Sequence, residues 1–68
     1  MTGRIVKTHI LGWGEIRRAE MEDRIVFDAG DLIDIPFPDS LGAEVHFDVL
    51  RNGKEPRAVR VRRRKATS

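Results

Sequence analysis

The 68-residue sequence has no cysteine and no tyrosine, a single tryptophan, and only three phenylalanines and three prolines. Without cysteine there is neither a disulfide nor a thiolate zinc site to staple the fold. A chain this short must then rest on one thin hydrophobic core. The two histidines, His9 and His46, stand apart in sequence and are too few for a metal cluster, so no metal or cofactor is expected. No run of residues approaches the ~20 apolar positions of a membrane span, and Met1-Thr2-Gly3-Arg4 does not open a signal peptide. A cytoplasmic protein is the expectation. There is also no Ser/His/Asp or Cys/His set, and the domain is too small to enclose a water-excluded pocket, so an enzyme is not expected.

What is present is a run of β signals. Gly3 to Leu11 is rich in β-branched residues and has no helical spacing, and its adjacent Ile5-Val6 points to a bulge. Gly12 to Ala19 is a second strand, with Glu20 to Asp23 as a polar turn, and Arg24 to Asp28 a short third one. Ala29 to Ser40, interrupted by Gly30, Pro36 and Pro38, is a long loop with Phe37 at its tip. Glu44 to Leu50 alternates cleanly and turns Val45, Phe47 and Val49 inward. Asn52-Gly53 then marks a hairpin. Pro56 begins the last strand, in which Val59 and Val61 are expected in the core and Arg60, Arg62 and Arg64 outside. The fold class expected is all-β: a small five-stranded antiparallel OB-fold barrel over residues 1–64, with 65–68 a frayed basic tail.

The centre of interest is Gly12-Trp13-Gly14-Glu15-Ile16. In a strand Trp13, Glu15 and Arg17 share one face and Gly14, Ile16 and Arg18 the other. Ile16 needs a core, so Trp13 should face outward. A ring displayed between glycines suits stacking on a nucleobase, while a Trp covering one end of the core is the plainer alternative. Lys7 and His9 fall on one face of the first strand. In the third, Ile25 and Phe27 oppose Arg24, Val26 and Asp28, and the sequence leaves open which set points inward. Phe37 reads as either a further stacking group or a plug on the barrel end.

The net charge of +2 conceals an asymmetry. Arg57, Arg60, Arg62, Arg63, Arg64 and Lys65 lie within nine residues that hold no acid, whereas the chain before them is mildly acidic. Such an end suits a polyanion partner.

These segments resemble the cold-shock domain family. Leu41-Gly42-Ala43-Glu44-Val45-His46-Phe47-Asp48-Val49 is similar to its "L-x-x-G-x-x-V-x-F-x-V" strand, with a shorter Leu-to-Gly interval. Gly53 to Val61 is similar to its "G-x-x-G-P-x-A-x-N-V" closing, with Glu55 for the second Gly and Arg60 for the Asn. Gly3 with Val6-Lys7 resembles the opening "G-x-V-K-W-F", in which Thr8-His9 replaces the aromatic pair. The first RNA-binding motif, "K-G-F-G-F-I", is here Leu11-Gly12-Trp13-Gly14-Glu15-Ile16. The second, "V-F-V-H-F", is here Arg24-Ile25-Val26-Phe27-Asp28. Trp13 thus keeps one stacking aromatic, and Glu15 replaces the other. A small ribosome-binding OB domain of bacterial translation initiation resembles the chain less well at Gly-Trp-Gly and at the Pro-Arg-Ala closing.

The resemblance implies an OB-fold barrel that binds single-stranded RNA or DNA. With its reduced aromatics, the expected binding is weak and sequence-tolerant, through aromatic stacking and Arg/Lys phosphate contacts. Candidate contact residues are Lys7, His9, Trp13, Arg17, Ile25, Phe27, Phe37, Arg57, Arg60 and Arg62. The alternative is a protein-interaction module, favoured by Glu15, Asp28 and the loop acids Asp31, Asp34 and Asp39. A monomer is expected, with a dimer open.

Overall fold

The computed structural model describes residues 1–21, 23–51, 53 and 55–64. Its strands are β1 (Thr2–His9), β2 (Trp13–Arg18), β3 (Arg24–Asp28), β4 (Leu32–Ile33), β5 (Glu44–Arg51) and β6 (Pro56–Arg63). They hydrogen-bond in the order β3-β2-β1-β5-β6-β4, and a parallel β3–β6 pairing, Val26 beside Arg57, closes the sheet into a barrel. Five strands make the wall, and β4 is a two-residue addition on β6. The tail expected at 65–68, like Asn52 of the expected hairpin and Glu22 of the polar turn, lies outside the described residues. Among the described residues no helix is long and apolar enough to cross a membrane.

Closure places Ile5, Ile16, Ile25, Phe27, Ile35, Val45, Phe47, Ala58 and Val61 in one core. Period-two alternation delivers most of them, but two bulges reset it. In β1 the register slips between Ile5 and Lys7, so Val6 is the extra residue: Ile5 points in and Lys7 out. In β6, Arg60 and Val61 together face the single Phe47, and Arg60 adopts a left-handed φ of 51°. That extra residue brings Ala58 and Val61, three apart, both to the core, and leaves Val59 half-buried. The expectation that Val59 would be a core residue is corrected on this ground: strict alternation cannot anticipate an inserted residue.

The loop between β3 and β5 is also more ordered than its prolines imply. Two 3-10 turns, Ala29–Asp31 and Phe37–Asp39, flank β4 and the buried Ile35. The expected Ala29–Ser40 loop thus contains the short strand β4 and these two turns. Phe37 lies half-buried, packed against the core.

Gly14 has a packing role. A Cβ at this position would meet the Phe27 ring at 2.7 Å, so only glycine lets the ring lie flat across the strand. At the far end of β2, Arg18 points inward and is buried. Its guanidinium grips Asp23 with both prongs, Nε donating to Oδ1 at 2.6 Å and Nη2 to Oδ2. That contact holds the Asp23 carboxyl below its ordinary range, as Arg4 does for Glu44. A lowered folded-state value means stabilisation that is whole above the ordinary carboxylate range and is lost as pH falls through the lowered values. Thermal unfolding should therefore be level from pH 7 to 5 and decline below about pH 4. An Asp23→Asn variant should show a shallower decline; an equal one would separate the pair from acid stability.

Candidate functional site

The outward face of β1, β2 and β3 collects most of the polar chemistry. Register pairs His9 with Trp13 and Lys7 with Glu15 across β1 and β2, and Trp13 with Asp28 across β2 and β3. The imidazole of His9 stacks on the indole, with centroids 4.8 Å apart and planes 10° from parallel. Lys7 Nζ lies 5.5 Å from the centre of the indole ring, within cation–π range. The β1–β2 turn sets this arrangement. Gly12, at a φ of 97°, lets the chain reverse, and its N–H donates to the His9 carbonyl at 2.9 Å. The Leu11 N–H donates to His9 Nδ1 at 3.2 Å, which fixes the imidazole plane and requires a lone pair on that nitrogen. Ile10 and Leu11 project from the tip, 94% and 80% exposed.

Trp13 is thus half-buried on the outside of the barrel, not in the core. Glu15, which the sequence sets beside it as a repulsive charge, is flanked by Lys7 Nζ and Arg24 Nη1, each 3.7 Å away. Its charge is largely compensated locally. Arg57 of β6 lies beside Val26 and holds Asp31 at 3.2 Å and Asp28 at 4.0 Å. Three of the five acids that favour the protein-interaction alternative, Glu15, Asp28 and Asp31, are therefore engaged within the fold.

The ten sequence candidates divide accordingly. Lys7, His9 and Trp13 come together on the β1–β2 face, with Arg17 at the other end of the same face, and Arg57 borders it from across β3. Ile25 and Phe27 are corrected: at 2% and 1% exposure they are core side chains and present nothing to a ligand, leaving Val26 outside. The partner strand accommodates this: Gly14, opposite Phe27, leaves room for the ring where a Cβ would meet it at 2.7 Å. Arg60 and Arg62 lie apart from the indole. Arg60 Nε is bound to Asp48 of β5 at 2.8 Å, and Arg62 sits between His46 and Ile33 in the register of the opposite wall. Phe37 packs against the core. The sequence reading missed Arg24, a basic group beside Glu15 on the same face. Its alternation with Val26 was a usable signal, had the inward set of β3 been known. Among the described residues no three His, Asp or Glu side chains are grouped to hold a metal ion.

No model of a known protein family matches the chain, and no curated protein matches it. Among solved structures it is similar to Drosophila Unr CSD456, with a TM-score of 0.80 and 24% sequence identity over 98% of this chain. The chain spans 27% of that chain's length. The likeness is one of fold: the molecule is a closed five-strand barrel of the cold-shock-domain, OB-fold type.

Proposed function

We propose that the chain binds single-stranded nucleic acid, RNA or DNA, weakly and with little sequence preference, across the outer face of β1–β3. The observation that carries this reading is the half-exposed Trp13 on the barrel wall, squared by the His9 stack and flanked by Lys7, with Arg17 and Arg24 farther along the same wall and Arg57 at its border. A flat π surface beside cations matches the two requirements of a single strand, a platform for a base and counter-charge for its phosphates. Tolerance of sequence follows because every base has a π face. Weakness follows from the small number of rings, with Phe27 in the core and Phe37 packed against it. Unr CSD456 shares the fold and supports the reading at that level.

Titration of a labelled oligo-dT or oligo-U at low salt, followed by Trp13 fluorescence, tests it. Quenching is expected, with affinity falling on a log-log plot against salt by about 0.7 per phosphate contact. Arg57→Gln should flatten that slope by up to one contact. Folded protein that shows no quenching at low salt would end the proposal.

A further inference from the structure

We propose that a second, distinct feature of this wall is a phosphate-binding site at the end of β2 away from Trp13, formed by Arg4, Arg17 and Arg64, with Arg24 abreast of Arg17 on the neighbouring strand. It deepens the nucleic-acid reading and rests on it only for the identity of the natural ligand, a phosphate of the bound strand.

Register places the three arginines abreast: Arg4 opposite Arg17 across β1 and β2, and Arg17 opposite Arg24 across β2 and β3. All three are exposed on the outer face. Directly opposed like charges in a sheet are destabilising, and this row contains two such pairs in succession. The outer members are relieved by carboxylates, Arg4 by Glu44 at 2.8 Å and Arg24 by Glu15 at 3.7 Å. Among the described residues the central Arg17 makes no salt bridge. A cleft of about 510 Å3 opens beside it, lined by Arg4, Arg17 and Arg64 together with Glu44, the carboxylate already paired to Arg4. The Arg64 N–H donates to the Glu44 carbonyl at 2.9 Å, which brings this residue to the mouth of the cleft. An anion seated there would meet the basic residues of β1, β2 and the end of β6 and would relieve the repulsion along the row. Guanidinium forks match phosphate oxygens in pairs. Arg17 is four residues from Trp13 along the strand, about 13 Å, so a strand stacked on the indole reaches it within a few nucleotides.

The test uses the full chain and inorganic pyrophosphate. Thermal unfolding is followed with pyrophosphate and with sodium chloride at matched ionic strength. The expected result is a rise in Tm with pyrophosphate alone. The rise should be kept in Trp13→Ala and in Arg51→Gln, which removes a positive charge at the other end of β5, and lost in Arg17→Gln. Without any anion, Arg17→Gln should melt no lower than the unsubstituted chain, because the central repulsion is gone. In fluorescence anisotropy with a labelled oligonucleotide, Arg17→Gln should bind about tenfold more weakly, the size of one charged hydrogen bond. A pyrophosphate effect no greater than that of chloride, or one that survives in Arg17→Gln, overturns the phosphate site. A rise in Tm with pyrophosphate together with no oligonucleotide binding leaves the phosphate site standing and removes the nucleic-acid reading instead.

Discussion

Replacement of Phe27 by alanine is expected to leave the chain largely unfolded at room temperature. The ring is 1% exposed and lies against Gly14, its register partner on the neighbouring strand. Removing it deletes the largest fully buried side chain and opens a void beside a glycine, which has no side chain of its own to fill it. Phe→Ala in a packed core costs about 3–5 kcal/mol. A domain of this size has no disulfide to fall back on and a stability at or below the low end of the usual ~5–15 kcal/mol, so the loss takes most of what there is. Circular dichroism with urea titration reads the outcome as a collapse of the native baseline. The opposite result, an unchanged midpoint with weakened oligonucleotide binding, would place the ring on the ligand face and reverse the assignment of the β3 faces. Phe27→Leu, which keeps most of the volume, should retain the fold with a lowered midpoint and so give a measurable value where alanine does not.

That β3 assignment also marks where the sequence stopped being readable. Strand type was legible because Arg24–Asp28 and Glu44–Arg51 carry β-branched and aromatic residues in period two, and β3 falls on the residues that the pattern indicates. Which face of β3 turns inward was not legible, since Ile25 and Phe27 on one side and Val26 on the other are both apolar enough. The choice is made by Gly14 on β2, a contact between residues thirteen apart that no local pattern contains. The same limit applies to β6. The alternating Val59, Val61 and arginines describe a regular strand, and the bulge at Arg60 exists only because β5 supplies one residue where β6 supplies two. The site shows it again: Lys7, His9 and Trp13 were recognisable as neighbours once two strands were aligned. The Arg4–Arg17–Arg24 row needs three strands in register, and the diversion of Arg60 to Asp48 needs the opposite wall.

Trp13→Ala should do the reverse of Phe27→Ala, leaving the fold and taking away the binding. The indole rests on the outside of the wall, against His9 and Lys7, so its loss exposes little core, and the urea midpoint should move far less than for Phe27→Ala. A base stacked on an aromatic is worth roughly 1–3 kcal/mol, so oligonucleotide affinity should fall by about fivefold to more than a hundredfold. Fluorescence is lost with the ring, and anisotropy of a labelled strand supplies the readout. Trp13→Phe, a smaller ring at the same place, should restore part of the affinity. The salt dependence carries the sharper information. Stacking is a neutral contact, so Trp13→Ala should lower affinity at every salt concentration while leaving the slope against log salt unchanged, and Arg57→Gln should change the slope. If the Trp13→Ala slope flattened instead, the ring's main service would be to hold Lys7 in place through the cation–π contact, and the base would have to find its platform elsewhere on the wall.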